Sequence, residues 1–163
     1  MAGLEETLVL VKPDGVARNL TGEILSRIEA KGYQLVDIRM VEPNRDLLSA
    51  HYAEHEGKPF FDPLVNFMES GPVVAMRIAG HAAIAGVRSL CGATDPTAAA
   101  PGTIRGDLGR DWGLAVQQNL IHASDSLESS SRELALWFGP LLSPPRRRRL
   151  PPPPPPTRPR TTR

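Results

Sequence analysis

Thr7-Leu8-Val9-Leu10-Val11, followed by Lys12-Pro13-Asp14-Gly15, is the stretch that decides how the chain is read. It is a continuous run of β-forming residues with no polar alternation. Such a run specifies a central strand buried on both faces. Lys12 ends the run, and Pro13-Asp14-Gly15 is turn chemistry. A lysine at the end of a buried strand is well placed to meet a phosphate, although the same residue also suits an ordinary surface position.

Reading outward, Thr21 is placed to cap a helix carrying Ile24, Leu25 and Ile28 on one face, with Gly32 as its stop. Val36, Ile38 and Met40 alternate with Asp37 and Arg39, which predicts a half-buried strand. Asn44 is placed to cap a second helix, on which Leu48, His51, Tyr52 and His55 share one face. That face suits either ligand binding or packing against a neighbour with the histidines at its edge. No acid or cysteine completes a metal-ligand spacing there. Phe61, Leu64, Val65 and Met68 mark a third helix, Val73 to Ala79 a third strand, and His81 to Cys91 a helix with Ile84, Val87 and Cys91 inward. That pattern puts Arg88 beside the buried face. Residues 92–118 have little periodicity, and a connection of that length inside a compact domain points to function or to an unrecognised element. Asn119 to His122 is a fourth strand, and Ser126 to Phe138 a final helix with Leu127, Leu134 and Phe138 inward. The pattern predicts an α/β (α+β sandwich) fold, a four-stranded antiparallel sheet with helices packed on one face.

The 163 residues carry a formal charge of +1, which hides two regimes. Of 19 basic residues, 7 are arginines in 141–163, a segment without acids. The remaining 12 face all 18 acids, a formal −6, which argues against a general nucleic-acid binder. Residues 1–139 are expected to form one domain. Residues 140–163, with Pro151 to Pro156 at their centre, are expected to be a disordered tail of polyproline II character. That tail suits a dispensable extension, an SH3-type ligand or a basic contact with acidic surfaces. The one cysteine, Cys91, excludes an internal disulfide and a cysteine-built zinc site, and fits a reducing compartment. The N-terminus lacks the parts of a signal peptide, and no apolar run is long enough to span a bilayer. A cytoplasmic location is therefore expected.

Asn119-Leu120-Ile121-His122-Ala123-Ser124-Asp125-Ser126 delivers a histidine at the end of a short apolar run. Asp125 is placed to cap the next helix, with Glu128 completing a capping box. Glu133 lies on that helix, near enough to fold back toward His122. A histidine held by a carboxylate makes a nucleophile or a proton shuttle. The same residues also suit a structural histidine packed at a strand end.

Together with Leu8 to Val16 and with Ala100-Pro101-Gly102-Thr103-Ile104-Arg105-Gly106-Asp107, this stretch resembles the nucleoside diphosphate kinase family over about residues 5 to 139. The resemblance implies the ferredoxin-like βαββαβ architecture. It also implies ping-pong transfer of a γ-phosphate from a nucleoside triphosphate to a nucleoside diphosphate through a phosphohistidine on His122, maintaining (deoxy)nucleoside triphosphate pools. Imidazole is largely unprotonated at neutral pH and can attack phosphorus without a separate base. The family pattern implies that Glu133 orients the ring and Ser124 supports the glutamate. Lys12, Arg88 and Arg105 would fall on the β- and γ-phosphates, where the planar fork of arginine suits two oxygens at once. Thr94 would donate a hydroxyl to the β-phosphate, and Tyr52 would lie near the transferred group. Phe60 would stack on the base, with Phe61 as the competing candidate, and Asn119 would bond the sugar hydroxyls. Stacking tolerates every base, so broad nucleotide specificity is expected. Mg²⁺ would ride mainly on the phosphates and water, so no metal ligands are assigned to the protein. No Walker-type Gly-Lys-Ser/Thr is present.

Three departures from the family pattern stand out. Ala123 replaces the usual glycine after the histidine, residues 108–118 are several residues longer than usual, and the Pro/Arg tail replaces a longer C-terminal segment. A homo-oligomer, hexamer or tetramer, is implied, with nucleic acid at most a weak, salt-sensitive partner of the tail and no membrane partner. The competing class is a regulatory or scaffolding protein acting through the insertion or the tail.

Overall fold

The structure, a computed structural model, describes residues 3–114, 116 and 118–139. The tail expected to be disordered, 140–163, lies outside the described residues. β1 (Leu4–Val11), β2 (Gln34–Val41), β3 (Val73–His81) and β4 (Ile121–Ala123) form one sheet in the order β2-β3-β1-β4, every neighbouring pair antiparallel. This is the ferredoxin-like arrangement expected from the sequence.

Helices cover both faces of the sheet, not one. Val9 and Val11 of β1 join Val74, Met76 and Ile78 of β3 under α2 (Thr21–Ala30) and α5 (Ala83–Cys91). Leu8 and Leu10 join Val73 and Ala75 under α3 (Arg45–His51), α4 (Phe61–Glu69) and α7 (Leu127–Phe138). The unbroken apolar run of β1 is the cause. Alternate residues point to opposite faces, so Leu8 through Val11 stay dry only if both faces are covered. Each such aliphatic side chain contributes about 1.5–3 kcal/mol on burial.

Several local readings shift. Pro13-Asp14-Gly15 does not simply turn the chain; it opens a short helix, α1 (Pro13–Ala17), with Pro13 in its first turn, where its missing N–H costs nothing. Thr21 is the first residue of α2 rather than its cap, and Leu20 holds the cap position with no side-chain bond. Asn44 does cap α3, accepting from Leu47 N at 2.9 Å. His81 ends β3, and Ala82, in the left-handed region at φ 50°, turns the chain into α5. The unassigned connection contains α6 (Ile104–Leu108), too short for periodicity to reveal. The cap of α7 is Ser126, which accepts from Ser129 N at 3.1 Å, and not Asp125. Leu127 is exposed; Leu134 is buried and Phe138 packs partly against the core as expected, and Ser130, Glu133 and Trp137 complete the inner face.

β2 is an edge strand. A bulge between Leu35 and Asp37 breaks the simple alternation expected from Val36, Ile38 and Met40. Leu35 pairs with Ile78, Ile38 with Met76 and Met40 with Val74, so these three share a face. Ile38 is 43% and Met40 67% exposed.

α6 is held by close backbone contacts. Thr103 Oγ accepts from Gly106 N at 3.0 Å and donates to Ala100 O at 2.6 Å. A Cβ on Gly106 would lie 2.0 Å from Ala100 O. Gly106→Ala is therefore expected to lower stability by about 3 kcal/mol or more. Urea unfolding checks this, and an unchanged midpoint would contradict the packing.

Candidate active site

Four segments meet at the C-terminal end of β1 and the end of β4. β4 places Ile121 and Ala123 in the core and leaves His122 half-buried on the other face, as strand alternation requires. Beside it, α7 brings Glu133 inward on the face that also buries Ser130, Leu134 and Trp137. Glu133 Oε2 lies 3.0 Å from His122 Nε2 and accepts from Ser124 Oγ at 2.6 Å. Ser124 Oγ in turn accepts from Leu8 N at 3.2 Å, which ties the pair to the central strand. A carboxylate beside Nε2 makes Nε2 the protonated nitrogen, so the lone pair of the neutral ring resides on Nδ1.

Cationic groups surround this ring. Lys12 Nζ donates to Asn119 Oδ1 at 2.7 Å, and Asn119 Nδ2 donates to Thr94 O at 2.9 Å. Arg105 donates to the carbonyls of Asn119, Gly92 and Ile121. Arg88 donates to Ala123 O at 3.2 Å. All of these acceptors are neutral, so the bonds orient the cations without cancelling their charge. Burial, and then repulsion from Arg105, lowers the Lys12 ammonium to about 8. Burial likewise lowers Arg105. Burial, and then the Glu133 charge, raises the Tyr52 phenol, which stays a neutral donor; its hydroxyl has no hydrogen-bond partner among the described residues.

The cleft has a volume of about 230 Å³ and is lined by Lys12, Tyr52, Arg88, Thr94, Arg105, Asn119, His122 and Glu133. Eight of the ten residues singled out from the sequence thus share one cavity. Ser124 lies beneath it, fully buried behind Glu133. Phe60 does not line the cleft. It is 49% exposed, with its ring edge-on to His55, a residue of the cleft wall, at 5.2 Å. Phe61 packs against the core instead.

Two supports stand behind the ring: His51, which the sequence places on a face suited to ligands or to packing, and Arg132, which sequence reading missed. His51 is buried, edge-on to the His122 ring at 4.7 Å, and its Nδ1 accepts from Trp137 Nε1 at 3.1 Å. Burial first, and then His122, pushes its pKa far below the imidazole range, so it packs as a neutral ring. The tryptophan that holds it precedes Phe138 on the final helix, and no local pattern shows its reach across to α3. Arg132 is the second: it donates to the carbonyls of Ala50 and His51, fastening α7 to the end of α3. His51, His122 and Glu133 each bring one ligand-type atom within 4.8 Å of the others. The hydrogen bonds from Trp137, His122 and Ser124 already engage His51 and Glu133.

A family model described as "Nucleoside diphosphate kinase" matches residues 5–141. The chain belongs to the nucleoside diphosphate kinase family. It is 54% identical over 136 residues to the cytosolic nucleoside diphosphate kinase of Dictyostelium discoideum, covering 83% of this chain and 85% of that one. A solved nucleoside diphosphate kinase from Halobacterium salinarum in complex with CDP superimposes with a TM-score of 0.78 at 51% identity, over 83% of this chain and 88% of that one. A third, the Borrelia burgdorferi enzyme in a transition-state mimic with vanadate and ADP, gives a TM-score of 0.77 at 36% identity, over 83% of this chain and 87% of that one.

For this nucleoside diphosphate kinase family member, the lowered Lys12 pKa makes anion binding pH-dependent. Below about 8 the ammonium is already protonated and attracts an anion. Above that, binding must take up a proton, so affinity for ADP is expected to fall about tenfold per pH unit. Calorimetric titration from pH 7 to pH 10 checks this. A flat affinity would contradict the assignment.

Proposed function

We propose that the protein is a nucleoside diphosphate kinase that moves a γ-phosphate from a nucleoside triphosphate to a nucleoside diphosphate through phospho-His122. The observation that carries this reading is the His122–Glu133 contact at Nε2, which leaves Nδ1 as the nucleophile within a ring of cations. Nδ1 attacks the γ-phosphorus, the Nδ1–P bond forms, and the bond from phosphorus to the β-phosphate oxygen breaks. The diphosphate leaves with that electron pair. Glu133 stabilises the positive charge developing on the ring, and Ser124 fixes the carboxylate. A second diphosphate then attacks phosphorus and restores the free histidine, giving ping-pong kinetics.

Lys12, Arg88 and Arg105 hold the phosphates, and Thr94 adds a hydroxyl. Tyr52 stays neutral and lines the same cleft as His122, and so suits a hydrogen bond to the transferred group. Phe60, exposed at the mouth, supplies a face for any base. Asn119 keeps a second N–H and a second lone pair for sugar hydroxyls. Mg²⁺ would be carried by the nucleotide phosphates and water. The cleft fits that route because its chemistry is cationic around the phosphate path and its buried carboxylate is committed to His122 and Ser124. Electrostatic positioning of this kind is the main demand of phosphoryl transfer.

The catalytic domain spans 1–139, with 140–163 as an appended basic tail. The exposed Ile38 and Met40 on the free edge of β2 favour a homo-oligomer that covers them. No helix of the described residues is long and apolar enough to cross a membrane. The cytosolic relative favours the same compartment here.

Intact-mass analysis after mixing with Mg²⁺-ATP and no acceptor tests the reading. One acid-labile phosphoryl adduct is expected, removed by GDP with formation of GTP, and absent from His122→Ala. A folded wild-type protein that gains no mass would overturn the proposal.

A further inference from the structure

We infer that Asp14 is a positioning residue, whose carboxylate holds Leu120 in a left-handed backbone conformation that sets Asn119 and His122 at their places in the cleft. The inference rests on the proposed function above.

Leu120 is a buried non-glycine residue at φ 70°. Ile121 N donates to Asn119 O at 2.8 Å across it, so the three residues form a γ-turn of the rare, strained kind. Such a conformation persists only when its surroundings impose it. Here they do so from both sides. Asp14 Oδ2 accepts from Leu120 N at 3.1 Å, and Leu120 O accepts from Lys12 N at 2.8 Å. Gly15 allows this approach: a Cβ there would lie 3.1 Å from Leu120 O and 2.8 Å from Val11 Cγ1.

Asp14 itself is only 8% exposed, and its second oxygen has no hydrogen-bond partner among the described residues. A buried carboxylate with one hydrogen-bond partner is a costly arrangement, offset here in part by the facing charges of Lys12 and Arg105. What that arrangement secures is the turn. Immediately before Leu120, Asn119 meets Lys12 and Thr94; immediately after it, Ile121 and His122 enter β4 against β1. Relaxing Leu120 changes the offset between these two segments, and with it the distance from Asn119 to the His122 ring. Asp14 touches no reacting atom; it acts through Leu120.

Two variants separate geometry from charge. Asp14→Asn keeps an acceptor where Oδ2 stands and removes the charge. Asp14→Glu keeps the charge and moves the acceptor by one methylene. Both are compared with wild type and Asp14→Ala for His122 phosphorylation by Mg²⁺-ATP, followed by intact mass, and for steady-state kcat and KM with GDP as acceptor. Melting curves define the folded fraction. Per folded molecule, Asp14→Ala and Asp14→Glu are expected to lose about 100-fold in kcat, the scale of a misplacement near 1 Å. KM is expected to rise by less than tenfold, and Asp14→Asn is expected to stay within about tenfold of wild-type kcat. If Asp14→Ala does not fold, the order Asn above Glu decides. Wild-type kcat in folded Asp14→Ala, or Glu equal to or above Asn, would overturn the positioning role alone. A wild-type protein that forms no adduct would overturn the functional reading, and the positioning role with it.

Discussion

One carboxylate oxygen, Glu133 Oε2, meets both His122 Nε2 and Ser124 Oγ. The remainder of the site depends on that oxygen. Burying a carboxylate is expensive unless it is well bonded, and these two contacts, with Arg132 3.9 Å from the other oxygen, make the position tenable. They also decide which ring nitrogen is free. The serine passes the constraint on to Leu8 N in the central strand, so the imidazole is oriented by a short polar chain rooted in the most buried part of the fold. α7 must dock at one angle for this to work. The Trp137–His51 bond and the two bonds from Arg132 hold it there from the other side of the ring.

The same economy governs the cations. Lys12, Arg88 and Arg105 bond to amide and carbonyl oxygens, which fix direction while leaving the charge available. Desolvation weakens the Lys12 charge, and an arriving polyphosphate would restore it. Buried cations gathered in one cleft favour an anionic ligand, and with it phosphate chemistry over a purely structural histidine.

Much of this was legible in the chain. The continuous run Leu8 to Val11 set a central strand, and the motifs around Lys12, Arg105 and His122 named residues that share one cleft. The run asks for both faces to be dry, and packing on one face, the other expectation, is inconsistent with it; the two cores show that the run's demand prevails. α6 was missed because five residues carry no period, and its cap, Thr103, lies among breakers. Asp125 looked the better cap by composition, yet Ser126 took that place by one residue of phase. The exposed side of β2 could not be read from alternation, because a bulge at Leu35–Asp37 changes which residues share a face. Asp14 read as a turn former. Its partner Leu120 lies 106 residues away, and no local pattern announces a contact of that range. Phase, bulges and long-range backbone bonds are tertiary facts, whereas apolar runs and clustered chemistry are local ones.

The most direct test of the central claim is the identity of the phosphorylated nitrogen. Protein labelled with ¹⁵N-histidine, phosphorylated with Mg²⁺-ATP and studied by ³¹P–¹⁵N correlation, should show phosphorus bonded to Nδ1 of His122 while Nε2 keeps its proton. Phosphorus on Nε2, or on any other side chain, would contradict the account.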